Sequence, residues 1–198
     1  MTKLINSLVF VVLILISTNS FSYNSDPKIF INELVDDAIK TLSDKNISKP
    51  DKLKKIETIA LENVDINALS MYTLGEVRKT LDQNTLNKYK KLFEKYFLKS
   101  LTSRLSDYSD NKFEIIGVDQ KSEVYTIVNT KIAESSSQPE IKIDWRVYTR
   151  DPAKPLIRDL IVEGLSLAKT QKEEFASILS SNNNNINILL QKLEEFIK

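Results

Sequence analysis

The spacing of apolar residues changes twice along this chain. From residue 27 to about residue 108 they recur every three or four positions, the period of an amphipathic helix. From residue 113 to residue 163 they alternate with polar residues, the period of a half-buried strand. Helical spacing returns after Gly164. This order of helices, strands and helices predicts an α+β domain.

Four helices are predicted before the strands. Asp26-Pro27 supplies an N-cap and a proline at the first helical position. Lys49-Pro50 starts the second helix, and Asp65 caps the third. The fourth runs from about Asn84 to Tyr108 and carries five aromatic residues at helical spacing: Tyr89, Phe93, Tyr96, Phe97 and Tyr108. This stripe is interpreted either as core or as one wall of an apolar cavity.

Four strands follow, joined by short connections that predict an antiparallel meander. In the third strand Ile141, Ile143, Trp145 and Val147 alternate with polar residues, which is typical of a sheet with one wet face. Thr126, Val128 and Thr130 share one face of the second strand. The fourth strand carries Leu160 and Val162 and ends at a turn at Gly164, followed by a short link to a helix.

Two helices are predicted to end the chain. Thr170 to Glu173 matches a capping box and would start the first of them. The polar run from Asn182 to Asn185 is predicted to be a loop whose last asparagine caps the final helix.

The first 22 residues have the layout of a secretory signal peptide. Lys3 precedes an apolar segment from Leu4 to Ile16, and small and polar residues follow. The apolar segment is shorter than the roughly 20 residues that span a bilayer. We therefore expect residues 1–22 to be removed and residues 23–198 to form one exported domain.

The composition excludes several classes of chemistry. The chain contains no cysteine and no histidine, so Ser-His-Asp triads, thiol nucleophiles and Cys/His zinc sites are impossible. The three glycines are too scattered for a phosphate-binding loop. Removal of Lys3 with the leader leaves equal numbers of basic and acidic residues, which argues against nucleic-acid binding.

Two motifs resemble the MlaC / toluene-tolerance family. The segment from Asp159 to Leu167 follows the pattern Asp-aliphatic-x-Val-Glu-Gly-aliphatic-Ser-Leu, and Leu74 to Thr80 resembles the family's Leu-Gly-x-x-Arg segment. The order of elements agrees over residues 26–198. Proline and leucine stand at 155 and 156, where the family usually has a Trp-Lys pair.

The resemblance implies a nuclear-transport-factor-like fold, with a four-stranded antiparallel sheet wrapped by about six helices around an apolar cavity. It implies a soluble periplasmic carrier of phospholipid with no other cofactor. It further implies shuttling of lipid between an outer-membrane lipoprotein–porin complex and an inner-membrane ABC transporter with its substrate-binding ring. This shuttling would maintain the lipid asymmetry of the outer membrane.

Candidate site residues fall into three groups, and none is catalytic or metal-binding. The expected tail cavity is lined by apolar residues from helices and strands: Leu74, Val77, Phe93, Phe97, Leu101, Val128, Trp145 and Val147. Arg78 and Arg146 are the headgroup candidates. Residues of the two motifs are expected to be structural: Gly75, Glu163, Gly164 and Ser166.

Two alternatives stay open. Related cone-shaped α+β folds include small enzymes, and such chemistry would have to use residues such as Asp159 with Tyr148. An exported module that binds or chaperones a protein partner would instead present an exposed apolar groove.

Overall fold

The computed structural model describes residues 23–105, 113–134 and 139–198. The helices are α1 (Pro27–Ser43), α2 (Lys49–Asn63), α3 (Ile66–Thr73), α4 (Gln83–Leu105), α5 (Leu167–Ser180) and α6 (Ile186–Ile197), with a 3-10 helix at Gly75–Lys79. The strands are β1 (Phe113–Ser122), β2 (Tyr125–Ile132), β3 (Ile141–Tyr148), β4 (Leu156–Val162) and β5 (Leu165–Ser166). The predicted signal peptide and Tyr108 lie outside the described residues. None of the helices within the described ranges has the length and apolar character needed to span a membrane.

Local capping residues set most helix starts. The Asp26 carboxylate accepts from the backbone N–H groups of Lys28 and Ile29 at 2.9 and 3.0 Å. Asp65 accepts from Ala68 N–H at 2.9 Å, and Asn185 caps α6. These three predicted starts are confirmed, because each depends on a side chain and a backbone amide two or three residues apart.

The predicted start of α5 at Thr170 is wrong by about one turn. The helix begins at Leu167, and the Ser166 hydroxyl caps it by accepting from Lys169 N–H at 3.0 Å. Thr170 lies inside the helix, where its hydroxyl donates to the carbonyl of Ser166 at 2.9 Å. Ser166 takes the capping role because it is the last residue of β5 and directly precedes α5.

The sheet has five antiparallel strands in the order β1-β2-β3-β4-β5, so the prediction of four is corrected. The additional strand, Leu165–Ser166, pairs with Ile161 and Val162. Glu163 and Gly164 form the two-residue turn between them, with φ angles of 49° and 80°. Positive φ at both positions is typical of the type I′ turn that suits the twist of a hairpin.

Strand register defines the two faces of the sheet. Val128, Trp145 and Leu160 align across β2, β3 and β4 on the inner face. Ile127, Arg146 and Asp159 align on the outer face. Helix α1 packs on β1 and β2.

Buried apolar side chains form two cores. The sheet core joins α1 to the inner face and consists of Phe30, Ile31, Leu34, Val35, Val128, Val147 and Ile157. The helical core is formed by α3, α4, α5 and α6, and its residues include Leu69, Leu74, Tyr89, Phe93, Phe175 and Leu189. Val64 packs against both cores. Asp65 N–H donates to the carbonyl of Ile157 at 2.9 Å, so the end of α2 is attached to the edge of β4.

Candidate functional site

Four apolar side chains on the inner face of β3 and β4 are only half-buried. We call Ile143, Trp145, Leu160 and Val162 the inner strip. Val128 and Val147, on the same face, are 0% exposed. Trp145 and Leu160 pack against the sheet core, whereas Ile143 and Val162 belong to neither core, so the inner strip borders the sheet core.

The inner strip has no unpaired polar group. The indole N–H of Trp145 donates to the Thr130 hydroxyl at 2.9 Å, and that hydroxyl donates to the carbonyl of Ile143 at 2.6 Å. Every buried side-chain nitrogen and oxygen in the described ranges has a hydrogen-bond partner. A ligand at the strip would therefore be held by apolar contact.

The predicted cavity residues are divided between the two cores. Those from helices lie in or against the helical core: Leu74, Val77, Phe93 and Phe97. Those from strands lie in or against the sheet core: Val128, Trp145 and Val147. Leu101 is half-buried and belongs to neither. Seven of the eight residues thus belong to one core or pack against it, and the role of all eight as a lipid site stays a prediction.

The aromatic stripe of α4 packs into the helical core. The Phe175 ring lies across Tyr89, Phe93 and Tyr96, with ring centroids 6.4, 6.3 and 5.9 Å away. Phe97 stacks on Phe93 at 6.5 Å and remains half-buried. Phe97 is therefore the more accessible of the two stacked rings.

The two headgroup candidates both make contacts within the protein. Arg78 donates to the carbonyls of Met71 and Gly75 at 3.2 and 2.6 Å, which satisfies acceptors near the end of α3. Arg146 lies on the outer face and donates to Asp159 at 3.3 Å. Their contact with a lipid headgroup stays a prediction.

Asp159 holds the end of the sheet to α5. This carboxylate is 4% exposed and accepts from the Ser166 hydroxyl at 2.6 Å and from Ala168 N–H at 3.0 Å. The aspartate and serine of the motif are thus hydrogen-bonded to each other, and the same serine caps α5.

Glu163 and Gly75 also have structural positions. Glu163 N–H donates to the carbonyl of Lys142 at 3.0 Å, and the Glu163 carboxylate accepts from Lys142 N–H at 2.5 Å. The turn is therefore attached to β3 by two hydrogen bonds. Gly75 follows α3 with a φ of 62°, a left-handed conformation that favours glycine.

Arg158, at a β-bulge in β4, joins the start of α3 to the outer face of the sheet. Its guanidinium binds the Asp65 carboxylate at 2.9 Å and donates to the Tyr125 hydroxyl at 3.0 Å. It also lies 3.4 Å from the ring centroid of Tyr148. Tyr148 thus contacts Arg158, while Asp159 is hydrogen-bonded to α5. The two residues named for the enzyme alternative therefore both make contacts within the protein.

An open depression of about 440 Å³ lies on the outer face of the sheet. Its lining is mixed in character and comprises Ile116, Gly117, Asn129, Lys142, Asp144, Ile161, Glu163 and Gly164. The charged and amide groups make this depression unsuited to acyl chains, which favour an apolar lining. The inner strip is the better candidate for an apolar ligand.

Comparison with known proteins decides the family. The sequence profile described as MlaC protein matches residues 32–195. The chain belongs to the MlaC family. No curated protein sequence matches it significantly.

A solved structure shares the fold of this MlaC family member. It is a phospholipid-binding protein from Ralstonia solanacearum in complex with a phospholipid. The two chains are 16% identical and superpose with a TM-score of 0.70, over 84% of this chain and 94% of the other. At this identity the likeness shows that the α+β fold is shared.

Three residues of the inner strip were not among the predicted site residues of this MlaC family member: Ile143, Leu160 and Val162. Their alternation with polar neighbours was visible in the sequence and was used only to assign strands. That alternation identifies the inner face, whereas the position of α1 beside the inner strip depends on contacts between distant segments.

In the described ranges, no cluster of acidic residues is arranged to hold a metal ion.

Proposed function

We propose that this protein is a soluble periplasmic carrier that holds the acyl chains of a phospholipid against the inner strip. Membership of the MlaC family and the phospholipid in the Ralstonia structure support this proposal. The observation on which it rests is the half-buried apolar strip on the inner face of β3 and β4, which borders the sheet core.

The energetics of a free phospholipid favour such a site. Each methylene exposed to water costs ~0.8 kcal/mol, so two chains of ~16 carbons cost on the order of 25 kcal/mol. A carrier needs an apolar surface that accepts these chains and few unpaired polar groups. The inner strip supports the proposal, because it is apolar and the polar side-chain atoms of Thr130 and Trp145 are hydrogen-bonded.

The cellular role follows from the same proposal. The predicted signal peptide would export the chain to the periplasm, where an outer-membrane lipoprotein–porin complex and an inner-membrane ABC transporter would exchange lipid with it. The shuttle would maintain outer-membrane lipid asymmetry. A binding role without catalysis agrees with the internal contacts of Asp159 and Tyr148.

Bound lipid provides the direct test. Residues 23–198 are purified from an exported preparation and examined by native mass spectrometry, followed by lipid extraction. We expect a phospholipid adduct, and we expect delipidated protein to take phospholipid from vesicles. If neither is observed, the carrier proposal is wrong and the protein-binding alternative gains weight.

Two neighbouring residues test where the lipid binds. Val162 and Ile161 are both half-buried in β4 and point to opposite faces. Val162→Asn should weaken phospholipid affinity roughly tenfold, because a buried valine contributes about 1.5 kcal/mol or more. Ile161→Asn, on the outer face, should leave affinity within about twofold in the same vesicle titration. Equal losses in the two variants would contradict the inner-face site.

A further inference from the structure

The inner face continues beyond Val162 to an exposed leucine. Strand pairing aligns Ile143 with Val162 and Val162 with Leu165, so all three share the inner face. Ile143 and Val162 are half-buried, whereas Leu165 is 68% exposed. Leu165 is the most exposed large apolar side chain in the described ranges, and Leu167, two residues later, is 39% exposed. The apolar surface of the strip thus extends to solvent at the β5 edge.

The opposite edge of the sheet does not offer the same continuity. Val118 on β1 is also an exposed apolar residue, at 48%. It pairs with Val128, which is 0% exposed in the sheet core beneath α1. Packed protein therefore separates Val118 from the inner strip, while Leu165 directly adjoins Val162.

We propose that Leu165 forms the mouth through which acyl chains enter and leave the inner strip. The proposal rests on the carrier function above. A chain that crosses into water exposes methylenes at the moment of transfer, and this exposure raises the barrier to exchange. An apolar side chain at the mouth covers part of the moving chain, so it accelerates both uptake and release and leaves the equilibrium between them unchanged.

The test compares transfer rate with binding capacity. Mature wild-type protein and Leu165→Asp are mixed with donor vesicles of phosphatidylethanolamine and phosphatidylglycerol that contain a fluorescent-tailed phospholipid, and uptake and release are followed in time. We expect both rates to fall about tenfold in Leu165→Asp, the change produced by losing one leucine contact. Lipid bound at equilibrium should stay within about twofold of wild type.

Leu61→Asp is the matched control, because Leu61 is a leucine 47% exposed on α2. Its rates should equal those of the wild type.

If Leu165→Asp is not folded by circular dichroism, Leu165→Ser replaces it, and Leu165→Met should retain fast exchange. Wild-type rates of uptake and release in the polar variants would refute the proposal that Leu165 forms the mouth. Loss of lipid-binding capacity in a folded polar variant would also refute it. Wild-type protein that takes no lipid would instead refute the carrier function itself.

Discussion

At the scale of single residues, the helical core contains a buried pair of hydroxyl groups, those of Thr73 and Tyr89. The Tyr89 ring is 0% exposed, and its hydroxyl lies 2.8 Å from the Thr73 hydroxyl. Thr73 also donates to carbonyls of α3, so it keeps a partner in the absence of Tyr89. Burial of the Tyr89 phenol raises its pKa well above the ordinary value, while the bond to Thr73 acts in the opposite direction.

Tyr89→Phe should therefore change stability in a pH-dependent way. Near neutral pH the variant loses one hydrogen bond, at a cost of about 1 kcal/mol. Above pH ~10 the unfolded phenol ionises while the folded one stays protonated, so the wild type loses stability that the variant keeps. Urea unfolding at pH 7 and pH 11 measures both effects. A stability difference that is the same at both pH values would contradict the assignment.

At the scale of elements, accuracy depended on how local the determining contacts are. The starts of α1, α3 and α6 were predicted because each cap and its amide are close in sequence. The start of α5 was missed although Ser166 and Lys169 are equally close in sequence, because Thr170 to Glu173 offered a competing capping signal and β5, which ends at Ser166, was not predicted. A two-residue strand is also too short to show any periodicity.

The turn before β5 carries the prediction at this scale. Gly164 has a φ of 80°, and a Cβ built there would meet no atom within 4 Å. Gly164→Ala should cost about 1 kcal/mol from backbone strain alone. Gly164→Asn should cost less, because asparagine tolerates the left-handed region. Chemical unfolding of both variants checks the order, and an alanine variant as stable as the wild type would exclude the strain.

At the scale of the whole molecule, the sequence analysis identified the faces of the sheet but not the division of the core. Alternation in β3 and β4 places Trp145 and Leu160 on one face without knowledge of other segments. The packing of α1 over β1 and β2, which leaves the inner strip beside it, arises between distant parts of the chain. For this reason, the predicted lining residues are distributed over two cores.

The connection between α3 and the sheet can be tested at Arg158. Arg158→Met removes the charge opposite the Asp65 carboxylate, whose side chain is 16% exposed. We expect a loss of about 2 kcal/mol of unfolding free energy, because a mostly buried carboxylate loses its charged partner. Arg150→Met, at an exposed arginine, is the control and should change stability by less than about 0.5 kcal/mol. A loss of similar size in both variants would show that the Asp65–Arg158 ion pair makes no specific contribution to the attachment of α3 to the sheet.

The attachment of Asp65 to β4 has a consequence for the order of folding. The Asp65–Arg158 bond spans 93 positions, and the partners of α1 in the sheet core extend to Ile157. Synthesis proceeds from the amino terminus, so Phe30 and Ile31 are made long before the strands that cover them. The strands β1 to β4, in contrast, pair with sequence neighbours and close short loops. The meander should therefore form early, and the docking of the amino-terminal helices should be the late step.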